Sequence, residues 1–188
     1  MVNLVVVTGE GPQVSDEEIK RVLAPGGVAR FLNRQSQVAD RKWTKPRPTD
    51  VDEWSHVRYD ATGNAVSRDQ RAGPPRFLQW EAVPRWNRGV KTSGVVSTQG
   101  RLFYILDDSH FATQSRTWSL VARDASNGIQ LWRRELSSWA GARGGKKVGP
   151  AQVNRLLVAS QDAVFVTLSA FGPVSMLEAT TGKRIRTL

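Results

Sequence analysis

Residues 122–132 read Ala122-Arg-Asp-Ala-Ser-Asn-Gly-Ile-Gln-Leu-Trp132, and a worn copy of the pattern returns as Met176-Leu-Glu-Ala-Thr-Thr-Gly-Lys-Arg-Ile-Arg186. Each copy sets an acidic residue, small polar residues and a glycine between two strand-like runs. Asn127-Gly128 and Thr181-Gly182 supply the turn, because glycine reaches positive φ without steric cost. A hairpin that recurs at wide spacing predicts a repeat architecture.

The repeat extends upstream. Val95-Val-Ser-Thr-Gln-Gly-Arg-Leu-Phe-Tyr-Ile105 aligns with Leu157-Val-Ala-Ser-Gln-Asp-Ala-Val-Phe-Val-Thr167, each an apolar strand, a polar turn and a second apolar strand. Phe103 and Phe165 are 62 positions apart, whereas Gly128 and Gly182 are 54 apart. The first copy therefore carries about eight extra residues, placed at a loop tip between Asp107 and Thr117, where repeats tolerate insertion.

This pattern resembles the tryptophan-docking repeat of pyrroloquinoline-quinone-type β-propellers, roughly Ala-x-Asp-x-x-Thr-Gly-x-x-x-Trp. The first copy matches at Ala122, Asp124, Gly128 and Trp132, with Asn127 where Thr is usual. The second keeps Thr181 and Gly182 and departs at Met176, Glu178 and Arg186. The resemblance implies an indole packed between neighbouring blades, a quinone with calcium as the cofactor class, and a periplasmic or secreted protein. With Arg186 in place of the indole, the second copy departs from that inter-blade contact.

Composition sets the outer bounds. The chain has 188 residues, 39% of them hydrophobic, with seven tryptophans, enough for a buried core in one or two domains. With no cysteine it has no disulfide, no thiolate metal site and no cysteine nucleophile. No apolar run approaches the roughly 18 residues of a membrane span. Met1-Val-Asn-Leu-Val-Val-Val reads as a strand and not as a secretory signal. The net charge of +10 is scattered over arginines and lysines along the chain. No recognition helix, zinc finger or RNA-binding signature accompanies it, so a basic solvated surface is expected and nucleic acid is not an expected partner.

Residues 1–35 predict a small strand–helix–strand unit. Leu4-Val-Val-Val-Thr8 suits a buried strand. Ser15 with Glu18 predicts a capping box, and Ile19, Val22 and Leu23 give the helix an apolar face. Pro25-Gly26-Gly27 is read as the helix stop, before a second strand over Val28-Ala-Arg-Phe-Leu32. Arg21-Val-Leu-Ala-Pro-Gly-Gly27 is similar to the later part of class I S-adenosylmethionine methyltransferases. That family's glycine-rich cofactor loop and ribose-binding acid lie upstream of this segment and neither is present. The resemblance therefore implies a methyltransferase-like tail that binds no methyl donor alone.

Residues 36–75 are polar and proline-punctuated and read as a linker packing on the repeats, which occupy 76–188. This order resembles large bacterial proteins that fuse a methyltransferase-like domain to a quinoprotein-like propeller. The fold expected is mainly β: a partial β-propeller of about two four-stranded antiparallel blades after a small α/β remnant. The chain is read as a fragment with no complete active site. Its partners would be the remaining blades or a second copy, because two blades leave apolar faces open.

Trp54, His56, Tyr59, Asp60 and Asn64 are the densest cluster of functional residue types. A histidine near a carboxylate can act as general base, and an indole with an amide can hold a planar cofactor or a sugar. The same residues also read as a glycine-containing turn, Asp60-Ala-Thr-Gly-Asn64, with packed aromatics. Arg85 and Trp86 read either as channel-facing residues or as a stacked pair. Asp107, Asp108 and His110 offer metal-ligand types on a loop that is otherwise a solvated tip, and no metal site is assigned. The stretch around Trp139, Ser137 to Lys147, has phosphate-loop glycines and lysines without the Gly-Lys-Ser/Thr ending and reads as a flexible loop. Two functions follow: a structural segment of an oxidoreductase-type propeller, or a non-catalytic scaffold binding protein or polysaccharide.

Overall fold

The computed structural model describes residues 1–8, 14–32, 41–71, 73, 78–82, 91–107, 117–137, 156–169 and 171–188. The chain is mainly β, with one short helix among the described residues. Its first unit is a three-stranded sheet of β1 (Val2–Thr8), β2 (Leu23–Leu32) and β3 (Arg41–Thr44), with α1 (Asp16–Val22) crossing between the parallel pair β1 and β2. Val5 and Val7 lie against Ile19, Leu23 and Ala29, together with Phe31 and Trp43.

The Ser15 hydroxyl accepts from the Glu18 backbone N–H, the expected N-cap. The other half of the capping box is not made, because the Glu18 carboxylate forms a two-point pair with Arg21 at 2.6 Å. The helix also ends earlier than Pro25 suggests. Leu23 is already extended, and the strand runs from there through Pro25-Gly26-Gly27. The residue before a proline is biased away from helix, so Ala24 lies in the strand that Leu23 begins instead of closing the helix. Lys45 caps the exposed helix end, donating to the carbonyls of Lys20 and Leu23, where a cation meets the negative pole of the helix dipole. Arg41–Thr44 pairs antiparallel with β2, so part of the stretch read as linker belongs to this sheet.

Two four-stranded antiparallel meanders follow. The first is β4 (Lys91–Thr98), β5 (Arg101–Asp107), β6 (Trp118–Asp124) and β7 (Gln130–Leu136). The second is β8 (Leu157–Ser160), β9 (Ala163–Thr167), β10 (Val174–Glu178) and β11 (Arg184–Thr187). Neither closes on itself. Alternation along the strands gives each sheet two faces. One face of the first sheet, with Val96, Phe103, Ile105, Leu120 and Ala122, packs on Leu157, Ala159, Val164, Val166 and Leu177 of the second in a single buried cluster. Fully burying a Val, Leu, Ile or Phe side chain contributes about 1.5–3 kcal/mol.

The sheets repeat one another in detail. Gln99 and Gln161 hold positive φ at equivalent inner turns. The register shifts at the same place in both outer hairpins, leaving Leu131 and Ile185 as the extra residues. Ala125 N–H donates to the Gly100 carbonyl at 2.9 Å, and Ala179 N–H donates to that of Asp162 at 2.8 Å.

Candidate functional site

The outer hairpins β6–β7 and β10–β11 turn through an acidic residue, an alanine, two polar residues and a glycine. The Asp124 carboxylate accepts from the N–H groups of Ser126 and Asn127, and Gly128 N–H closes onto the Asp124 carbonyl. In the second turn Gly182 N–H bonds the Glu178 carbonyl, and the Thr181 hydroxyl bonds the Glu178 carboxylate. Both glycines have positive φ, +74° and +70°.

Each turn receives an indole. Trp132 of the first sheet donates from Nε1 to the Ala179 carbonyl at 2.9 Å and lies over Gly182. Trp80 donates to the Ala125 carbonyl at the same distance and lies over Gly128. Arg134 adds a bond to the Gly182 carbonyl, and Gln79 adds one to that of Ser126. Trp132 thus joins one sheet to the next, and Trp80 brings the segment before the first sheet to that sheet by the same geometry. Trp80 was not recognisable as a docking residue from its own surroundings, because it lies seven residues beyond the preceding glycine, Gly73, whereas Trp132 lies four beyond Gly128. Its spacing of 52 residues from Trp132, close to the 54-residue repeat, was the available signal.

The second feature is the segment 52–69, a strap across the neighbouring edge strands β4 and β8, the first strand of each four-stranded sheet. Trp54 and Ser97 exchange two bonds, Ser97 N–H to the Trp54 carbonyl at 2.7 Å and Trp54 N–H to the Ser97 hydroxyl at 3.1 Å. The next carbonyl, that of Ser55, accepts from Ala159 N–H at 2.9 Å. Ser97 and Ala159 are equivalent positions of the two sheets, so consecutive strap residues serve one sheet each. The Glu53 carboxylate holds the β4–β5 turn through the Thr98 hydroxyl and the Gln99 N–H.

The strap gathers Trp54, His56, Tyr59 and Asp60. His56 and Tyr59 pair across a tight turn, with Tyr59 at φ +65°. Trp54 meets the Tyr59 ring edge-on at 5.7 Å, and the Arg68 guanidinium lies 5.9 Å from that ring's centre and 3.8 Å from the Asp60 carboxylate. The Ser55 hydroxyl bonds His56 Nδ1 at 2.8 Å. Asn64 stays outside the cluster: it is exposed, and its backbone N–H bonds Thr62. Arg85, Trp86, Asp108, His110 and Trp139 lie outside the described residues. Among the described residues no three metal-ligating side chains gather, and no helix is long and apolar enough to cross a membrane.

Most of this cluster's hydrogen bonding is internal. The Tyr59 hydroxyl donates to Asp52 at 2.6 Å, with Arg68 N–H on the same oxygen at 2.7 Å, and these bonds hold the Asp52 carboxyl below its ordinary 3.8. The Asp52 carboxylate in turn raises the Tyr59 phenol above its ordinary 10.0. The Thr62 hydroxyl and N–H lower the Asp60 carboxyl. Sequence reasoning missed Asp52, Glu53, Ser55 and Arg68 as members of this site.

A pH dependence follows. Unfolding in acid takes up a proton at Asp52, so its stabilisation is whole above about pH 4 and is lost as pH falls below 3.8. The folded state keeps the Tyr59 proton longer, so that stabilisation is whole below 10.0 and is lost as pH rises beyond it. The stability difference between wild type and Tyr59→Phe should therefore be flat from about pH 5 to 9 and shrink on both flanks. Urea denaturation across that range measures it, and a difference independent of pH throughout would refute the linkage.

No family model matches this chain, and no curated protein is found to match it.

Proposed function

We propose that the chain is a segment of a quinoprotein-like β-propeller, its two four-stranded sheets standing as consecutive blades. The observation that carries this reading is the repeated joint, Trp80 on Ala125 and Gly128, then Trp132 on Ala179 and Gly182. A joint that recurs with the same donor, acceptor and turn generates a solenoid or ring by repetition. On this reading the inner strands β4 and β8 face the axis, and the strap carrying Trp54 and His56 lies there.

The segment contributes walls and docking residues to an oxidoreductase-type or a binding propeller. The internal use of hydrogen bonds by Asp52, Tyr59 and Asp60 favours a scaffold role for the strap. Titration with pyrroloquinoline quinone and calcium, read by tryptophan fluorescence, separates the two. Saturable micromolar quenching that is lost in Trp54→Phe would support a cofactor-facing wall. No quenching would leave a scaffold for protein or polysaccharide.

A further inference from the structure

We propose that Arg186 is a docking residue, whose guanidinium takes the indole's place against one further four-stranded sheet with an acidic–Ala–x–x–Gly hairpin. This rests on the propeller reading above. In the first sheet Val96, Phe103, Ala122 and Trp132 form one cross-strand row, and the second sheet covers it. In the second sheet the register places Val158, Phe165, Met176 and Arg186 in the equivalent row. Leu120, beside the first row, is fully buried, while its counterpart Val174 is 40% exposed and Leu188 is 58% exposed. The contact row is thus repeated at a face left open among the described residues.

Arg186 sits where the docking donor Trp132 stands in the first sheet, after the same one-residue bulge. A guanidinium suits that place. It is planar, it stacks as an indole does, and it carries several N–H donors for a turn carbonyl. Close packing of a guanidinium on a positive-φ glycine already occurs in the molecule: that of Arg47 lies against Gly26 and Gly100. An unaltered second copy is a poor occupant, because its turns at Gly128 and Gly182 are already covered by Trp80 and Trp132. The occupant is therefore another repeat of the same turn chemistry.

The test vacates one turn. Full-length chain carrying Trp80→Ala and Arg186→Ala serves as acceptor, open at Ala125 and Gly128 and unable to donate. Wild type, Arg186→Ala and Arg186→Trp serve as donors, with association read by sedimentation and the acceptor's fold checked by near-ultraviolet circular dichroism. Wild type should bind, Arg186→Trp at least as tightly, and Arg186→Ala about tenfold or more weakly, the loss expected for a charged hydrogen bond. Equal binding by wild type and Arg186→Ala overturns the role of Arg186 and leaves the stacked-blade reading standing. If no donor binds a folded acceptor, Arg186→Trp included, both fall. Should the alanine acceptor not fold, Trp80→Leu, which still removes the indole N–H from Ala125, replaces it with the same readings.

Discussion

Trp132→Ala is expected to lower the unfolding free energy by about 3–5 kcal/mol, the range for removing a large aromatic side chain from a packed site. The indole packs tilted against Phe103, with ring centres 5.9 Å apart, and spans the joint between the two sheets. Its loss leaves a gap that neither sheet can close without moving, and it strips the Ala179 carbonyl of its donor. Urea denaturation gives the magnitude, and hydrogen exchange at Gly182 and Lys183 shows whether the second turn loosens with it. A change under about 1 kcal/mol would mean that the indole covers the turn without holding it.

Gly182→Ala attacks the same joint from the other side. An L-residue at φ +70° costs about 1–2 kcal/mol. The new Cβ would also lie 2.7 Å from the Trp132 ring, so the indole must shift. Overpacking of this kind costs a further 1–3 kcal/mol or so. In a Trp132→Ala background the second cost disappears and the first remains. The double-mutant cycle should therefore show a coupling of about 1–3 kcal/mol between the two positions. Additive effects would mean that the ring and the glycine peptide do not touch in solution.

The outer hairpins were legible because their chemistry lies in side chains. Asp124, Asn127 and Gly128 do in the structure what such residues do in any tight turn, and the continuous apolar run from Leu102 to Leu106 announces a strand covered on both faces. The strap was half legible. Trp54, His56, Tyr59 and Asp60 stood out by residue type, but what holds them is the carbonyls of Trp54 and Ser55, and every residue has a carbonyl. Backbone pairing outside a regular strand leaves no mark in composition. Arg41-Lys-Trp-Thr44 was read as linker because one tryptophan among polar residues carries no alternation long enough to declare a strand. Its place is set by β2, a partner seen only once the chain is folded. The helix end at Val22 was misplaced because Pro25 is the louder signal, though its effect reaches back to the residue before it.

The strap also acts as a gauge. Adjacent residues in a trans chain are about 3.8 Å apart at Cα, a length that no side-chain rotation alters. Because Trp54 answers to β4 and Ser55 to β8, the separation of the two strands is measured out in a single peptide step. One residue inserted between them would leave the strap able to keep step with one sheet or the other. The spacing of β4 from β8 is therefore written partly into the count of residues in a segment that belongs to neither sheet.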